Sequence, residues 1–159
     1  KDELDQVANE LGVTIQPDSA EDLNLFTLSV KFPALEFGNE QVKSLRPYFE
    51  HFSKMAITSS QIDEEALYYL AQMPNLKKLL LQKTRVDGSG LVFFQKHKNL
   101  EILNLSYTLV DDKAALDLLK IPNLKEVYLF KTKTSKEVLT ALRQYKPELK
   151  ILAEEGPYN

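Results

Sequence analysis

Two histidines and three evenly spaced aspartates are the residues of this chain whose types could support metal binding or acid–base chemistry. Neither His51 nor His97 has a carboxylate or a second histidine at the i, i+4 spacing within a predicted helix, a common arrangement of metal ligands. Asp63, Asp87 and Asp111 follow one another at intervals of 24 residues. Each stands just before a predicted helix, where an aspartate side chain accepts a hydrogen bond from an N–H of the first turn. We therefore expect helix capping from the aspartates and structural or solvated roles for the histidines.

Composition excludes several further kinds of chemistry. The 159-residue chain has no cysteine, which excludes disulfides, thiolate zinc sites and a cysteine nucleophile. Its formal net charge of -3 provides no general attraction to nucleic acid or to an anionic membrane. No apolar run approaches the roughly 20 residues that span a bilayer. Because no nucleophile–base pair, metal-ligand set or cofactor loop can be recognised, we predict a protein that is not an enzyme and needs no cofactor.

A 24-residue repeat organises most of the chain and must position any functional side chain. Segments 50–73, 74–97, 98–121 and 122–145 align position by position. Their first halves carry apolar residues in the pattern L-x-x-L-x-L, which predicts a short strand with one buried face. The columns are Phe52, Leu76, Leu100 and Leu124; Met55, Leu79, Leu103 and Val127; and Ile57, Leu81, Leu105 and Leu129.

The second half of each repeat predicts a turn followed by a helix. A hydroxyl column opens the turn, and we expect its side chains to bond backbone groups left unpaired there. Ser135 continues the aspartate column as a fourth helix cap. Apolar pairs at i, i+3 then give each helix one inward stripe. The hydroxyl column is Ser60, Thr84, Thr108 and Thr132, and the pairs are Leu67/Leu70, Leu91/Phe94, Ala115/Leu118 and Leu139/Leu142.

Weaker copies of the pattern predict the two ends. Residues 1–24 form an N-terminal cap and connection, with a helix that stops at Gly12 and a short strand from Val13. Residues 25–49 form a degenerate first repeat at an offset of 25, which makes residues 25–145 the repeat region. Residues 146–159 form a C-terminal cap and tail containing a strand. The aligned residues of the first repeat are Val30, Phe32, Phe37, Val42 and Leu45, and those of the last strand are Leu149 and Leu152.

These patterns predict an α/β leucine-rich-repeat solenoid. We expect a right-handed coil of four or five strands, with the parallel β-sheet on the concave face and the helices on the convex face. The stretches LEILNLSYTLVDD at 100–112 and LKEVYLFKT at 124–132 resemble the C-terminal repeats of bacterial membrane-anchored proteins that carry a planctomycete-type cytochrome c domain. The stretch ELGVTIQP at 10–17 is similar to the segment that precedes those repeats. The resemblance implies a periplasmic or cell-surface location; the Cys-x-x-Cys-His haem motif is absent here.

The predicted concave face is the candidate binding surface. Its side chains alternate with the inward leucines, and several of them are apolar or aromatic, as in protein interfaces. The candidate residues are Lys78, Leu80, Gln82, Ile102, Asn104, Tyr107, Tyr128 and Phe130. We predict a protein–protein interaction module that binds a protein or peptide there. The alternative is a docking domain that positions another domain, such as a cytochrome c domain, of a longer bacterial protein.

Three further expectations concern the surface. Tyr128 and Phe130 either are displayed or lie under the C-terminal tail, where Pro157 or Tyr158 could cover them. Tyr69 and Phe93, in one helix column, form an exposed convex patch or are partly buried between helices. A basic rim could meet an acidic partner, although a solvated rim explains it equally simply. The rim consists of Lys83, Arg85, Lys131 and Lys133.

Overall fold

The computed structural model describes residues 2–21 and 23–154 and shows a mixed α/β fold. The helices are α1 (Asp2–Leu11), α2 (Asn39–Ser44), α3 (Glu64–Leu70), α4 (Asp112–Ala115) and α5 (Lys136–Tyr145). Three 3₁₀ helices cover Arg46–His51, Ser89–Phe94 and Leu116–Lys120. The strands are β1 (Val13–Pro17), β2 (Phe26–Val30), β3 (Phe52–Ala56), β4 (Lys78–Leu80), β5 (Ile102–Asn104), β6 (Glu126–Tyr128) and β7 (Lys150–Leu152).

The strands form one seven-stranded sheet in sequence order. Strands β2 to β7 pair in parallel, whereas β1 pairs with β2 in antiparallel fashion. The prediction of four or five parallel strands was therefore too low. The strands predicted in the two caps, β1 and β7, both join the sheet, and β7 extends its parallel part. The short hairpin that joins β1 to β2 permits their antiparallel pairing, while helical crossovers enforce the parallel pairs.

The sequence period reappears as the register of the sheet. Met55 pairs with Leu79, Leu79 with Leu103 and Leu103 with Val127, each 24 residues further on. These four side chains are fully buried. Leu81, Leu105 and Leu129 are buried as well, at 0–2% exposure. The predicted inward columns are thus confirmed, and the helices of the second half-repeats cover them because the i, i+3 pairs are also buried.

The hydroxyl column performs the predicted task in each of the four 24-residue repeats. The Oγ atoms of Ser60, Thr84, Thr108 and Thr132 donate hydrogen bonds to the carbonyl three residues earlier, at 2.7, 2.8, 2.6 and 3.1 Å. A hydroxyl can reach its own turn in this way because its side chain is short. These bonds satisfy carbonyls at the point where the strand ends, which is why serine or threonine suffices in this column.

Three of the four predicted helix caps are confirmed. Asp63, Asp111 and Ser135 accept hydrogen bonds from first-turn N–H groups of α3, α4 and α5. Asp87 is the exception, because the 3₁₀ helix Ser89–Phe94 begins after Gly88, which has φ +92°. The Asp87 side chain still accepts from the Ser89 N–H at 2.9 Å. The left-handed glycine displaces the helix start by one residue.

The first repeat was predicted with the wrong strand register. Leu28, and not Val30, pairs with Met55, so the offset in the strand is 27 residues. Phe32 is 87% exposed instead of buried. Phe37, Val42 and Leu45 are buried as predicted. The chain from Leu28 to Phe37 is two residues longer than the equivalent chain from Met55 to Ile62, and the extra residues lie on the surface. In the last strand Ile151 is the inward residue, while Leu152 is half-buried.

Candidate binding surface on the sheet

The eight candidate residues lie on the open side of the sheet, opposite the side that packs on the helices. Strand pairing sets Lys78 beside Ile102 and Leu80 beside Asn104, and Asn104 beside Tyr128. Lys78 and Tyr107 are exposed, and the other six candidates are half-buried. The structure therefore brings the candidates together on adjacent strands and the turns that follow them. We call this set, with Lys83, the sheet-face surface.

Backbone hydrogen bonds join successive turns and hold the aromatic end of this surface. The Tyr107 N–H donates to the Phe130 carbonyl at 2.8 Å, and the Lys83 N–H donates to the Ser106 carbonyl at 3.2 Å. The Phe130 N–H donates in turn to Ser106 Oγ at 3.0 Å. Ser106 is buried, so its side chain supports the turn and is not displayed. Tyr107 and Phe130 are consequently held on a fixed backbone.

A left-handed residue follows each of the strands β3 to β6, and sequence reasoning missed it. The four residues have φ between 54° and 59°, although none is glycine. They share one column of the repeat: Ser59, Lys83, Tyr107 and Lys131. This backbone turns the Tyr107 ring outward, where it is 52% exposed. The Lys83 ammonium lies 5.5 Å from the Tyr107 ring centroid, within cation–π range. Because none of the four residues is glycine, the sequence did not indicate a left-handed backbone in this column.

Polar groups at the edge of the aromatic cluster have defined partners. The Tyr128 hydroxyl donates to Glu126 Oε1 at 3.0 Å, and this hydrogen bond, aided by desolvation, raises the pKa of Tyr128. Lys131 forms an ion pair with Glu154 at 3.1 Å. Within the described part of the chain, Gln82 Oε1 is buried without a hydrogen-bond partner. Burial of this oxygen without a partner costs free energy.

The charge on this surface is uneven. Lys54 and Lys78 occupy paired positions on β3 and β4, and Lys83 follows β4, so the end of the surface toward β3 is basic. Toward β6 the cations are matched by acids, since Glu126 and Glu154 stand near Tyr128 and Lys131. The sheet-face surface thus has a lysine-rich end toward β3 and, next to it, an aromatic end toward β6.

Residues outside the sheet-face surface have structural roles. His97 is buried; its Nε2 lies 2.8 Å from the Met73 carbonyl, and its Nδ1 accepts the Leu100 N–H at 3.1 Å. Tyr69 is buried beneath Arg46, whose guanidinium lies 5.6 Å from the ring centroid, whereas Phe93 is exposed. Of the two alternatives for this helix column, burial therefore holds for Tyr69 and exposure for Phe93. Pro157 and Tyr158 lie outside the described residues.

Glu64, the first residue of α3, is a half-buried acidic group. Its carboxylate accepts hydrogen bonds from the N–H groups of Asp87, Gly88 and Gly90, the last two at 3.1 and 2.6 Å. Desolvation by burial outweighs these bonds and raises the pKa of Glu64. The side chain joins its own helix to the turn of the next repeat. No group of three or more metal-ligating side chains occurs in residues 2–21 and 23–154.

Comparison with known proteins gives similarity in structure and none in sequence. No protein-family model matches the chain, and no curated protein sequence matches it. Among solved structures, it is similar to leiomodin-1 actin-binding site 2 (ABS2), with 15% sequence identity and a TM-score of 0.47. The alignment covers 98% of this chain and 79% of that one. Among the helices that the structure describes, none has the length and apolarity needed to cross a membrane.

Proposed function

We propose that this chain is a protein-interaction module that binds a segment of a partner protein on the sheet-face surface. The observation that carries the proposal is the grouping of Leu80, Ile102, Tyr107, Tyr128 and Phe130 across adjacent strands and turns. Clustered, partly exposed apolar and aromatic side chains on a soluble surface commonly mark interaction sites. Aromatic anchors held on a rigid sheet lose little conformational entropy when they bind.

The charges favour a partner segment that combines apolar residues with acidic ones. The apolar residues would pack on Tyr107 and Phe130, and the carboxylates would lie toward Lys54 and Lys78. Opposite charges across an interface fix its register and accelerate association more than they add affinity. A purely basic or purely apolar segment would match only part of this pattern.

We further propose that the chain belongs to the leucine-rich-repeat class, with the sheet on the concave side of a right-handed solenoid, and that it acts outside the cytoplasm. The 24-residue register of the sheet supports the first part. The resemblance of residues 100–112 and 124–132 to bacterial cytochrome-associated repeats supports the second. A non-catalytic role agrees with the recurring acids, since Asp63 and Asp111 cap helices and Glu64 bonds the next turn.

The test is selection from a library of short random peptides displayed on phage, followed by measurement of the dissociation constant of synthesised winners by fluorescence polarisation. We expect winners that contain acidic and apolar residues. Replacing Tyr107 and Phe130 together by serine should weaken their binding by at least about tenfold, because aromatic anchors carry most of the binding energy in such sites.

The control variant is Tyr145→Ser, which removes a ring that is 79% exposed at the end of α5 and away from the sheet. It should leave peptide affinity unchanged. Thermal unfolding of the Tyr128→Ser/Phe130→Ser variant checks that the surface is not core, and we expect a folded protein. Peptides that bind equally well to the Tyr107→Ser/Phe130→Ser variant would contradict the proposal. If the sheet-face surface bound a neighbouring domain of the parent protein and no peptide, the docking alternative would be favoured.

A further inference from the structure

A second apolar surface runs along the helix side of the molecule, remote from the sheet-face surface. Tyr68, Val92 and Leu116 recur at intervals of 24 residues and are 50%, 41% and 48% exposed. Phe93 is 46% exposed, and its ring makes an edge-to-face contact with Tyr68 at 5.4 Å between centroids. These four residues are the helix-side stripe. Large apolar side chains exposed in one line over three repeats are a mark of an interaction surface.

An acidic hollow borders the stripe at the helix starts. It has a volume of about 370 Å³ and reaches Val92 in the stripe. Asp87, Asp111 and Asp117 line it, with Lys113 as the one cation among its lining residues. Asp117 is also paired with Lys120 at 3.4 Å, a surface contact of small energy. The net charge of this hollow is negative.

A basic hollow borders the stripe at the helix ends. Its volume is about 320 Å³, and it reaches Phe93. Lys96 and Lys98 supply its formal charges, since its other lining residues are neutral or, in the case of His97, buried and hydrogen-bonded. Successive helices follow parallel strands and run in the same direction, so their starts lie at one edge and their ends at the other. The helix side is therefore acidic at one edge, apolar in the middle and basic at the other edge.

We infer that a second copy of this chain docks on the helix-side stripe through a twofold axis that runs parallel to the stripe and lies between the two copies. Such a rotation lays apolar stripe on apolar stripe and places the acidic hollow of each copy over the basic hollow of the other. A twofold interface uses one patch on both subunits, so the patch must complement itself. The order of acidic, apolar and basic zones satisfies this condition. The sheet-face surfaces of both copies stay open, so the dimer would be bivalent.

Sedimentation equilibrium of the purified chain over a range of concentrations tests the inference. We expect a reversible monomer–dimer equilibrium at low salt. The dimer should weaken in 1 M salt, where screening acts within about 3 Å. Val92→Asp/Leu116→Asp should raise the dimer dissociation constant by at least about tenfold, because it places like charges in the apolar centre of the interface. The matched control is Leu109→Asp, which charges a residue that is 47% exposed outside the stripe.

Charge reversal supplies a second test that does not depend on the apolar residues. Lys96→Glu/Lys98→Glu and Asp87→Lys/Asp117→Lys should each dissociate the homodimer, since each places like charges opposite one another. Mixing the two variants should restore dimers that contain one of each. Four results would overturn the inference: a monomer at every concentration, a dimer that survives the stripe variant, a mixture that stays monomeric, or a dimer that Tyr107→Ser dissociates.

Discussion

The regular repeats at 74–145 and the N-terminal region at 2–45 build the same sheet with different regularity. Between β4 and β6 every strand residue pairs with the residue 24 positions further along. At the N-terminus, β1 is antiparallel, and β2 meets β3 through an irregularity in register after Phe26. Both regions nevertheless bury equivalent helix residues, as Val42 and Leu91 show at 0% exposure.

The difference shows which part of a repeat tolerates insertion. Seven positions separate Val30 from Phe37, whereas five separate the equivalent Ile57 and Ile62. The two additional residues enter the loop between strand and helix, where Phe32 projects into solvent. Strand register is fixed because a shift by one residue moves every side chain to the opposite face. A surface loop has no such constraint, so it absorbs the insertion.

The largest expected effect separates the middle of the sheet from its N-terminal end. Leu103 is fully buried on β5 with a paired strand on each side. Leu103→Ala should lower the free energy of unfolding by about 2–5 kcal/mol, because the neighbouring repeats cannot collapse into the cavity. Leu4→Ala in α1, which is 6% exposed at the end of the molecule, should cost near the lower limit of about 2 kcal/mol.

Urea titrations followed by circular dichroism measure both losses. Ile102→Ala is the control on the same strand, because Ile102 is half-buried on the open side of the sheet. Its cost should stay below about 1 kcal/mol. A loss near zero for Leu103→Ala would contradict the assignment of the core, and equal losses for Leu103→Ala and Leu4→Ala would contradict the contrast between the two regions.

An intermediate effect compares the two left-handed glycines. At Gly88, φ is +92° and a Cβ would lie 2.6 Å from the Ala114 Cβ of the next repeat. At Gly12, φ is +67° but no atom lies within 4 Å of the added carbon. Gly88→Ala should cost about 2–4 kcal/mol, from backbone strain plus overpacking, and Gly12→Ala about 1 kcal/mol from strain alone. Thermal unfolding distinguishes them, and similar shifts for both variants would show that the close approach at Gly88 relaxes freely.

Much of the regular region was predictable because its period is short and unbroken. Residues in the column of Leu79 must be buried, and residues in the column of Thr84 must form a backbone hydrogen bond. Both requirements recur every 24 residues. The same logic placed Tyr107 and Phe130 on the open side of the sheet. The predictions from the period were wrong where the chain departs from it, in the register of β2 and at the helix start after Gly88.

Other features were not predictable because their cause lies between repeats. Asn75, Asn99 and Asn123 donate side-chain hydrogen bonds to carbonyls 25 residues earlier, at 2.7, 2.8 and 2.7 Å. This column shows in the sequence, but its partners depend on the relative position of two turns. The burial of Tyr69 beside the exposed Tyr68 depends in the same way on helix packing and on Arg46.

The smallest expected effect concerns the left-handed residue that follows strands β3 to β6. None of these residues is glycine, whereas the N-terminal region has Gly12 in its left-handed position. Ser59 has φ 54°, a conformation that costs an L-residue roughly 1–2 kcal/mol. Glycine removes this strain but loses about 0.5–1 kcal/mol of chain entropy. Ser59→Gly should therefore raise the free energy of unfolding by about 0.5 kcal/mol. Gln61→Gly, two residues on and outside the left-handed region, should instead lower it by a similar amount, because only the entropy loss remains. Paired urea titrations resolve the opposite signs, and a loss in both variants would show that the turn at Ser59 holds its backbone without strain.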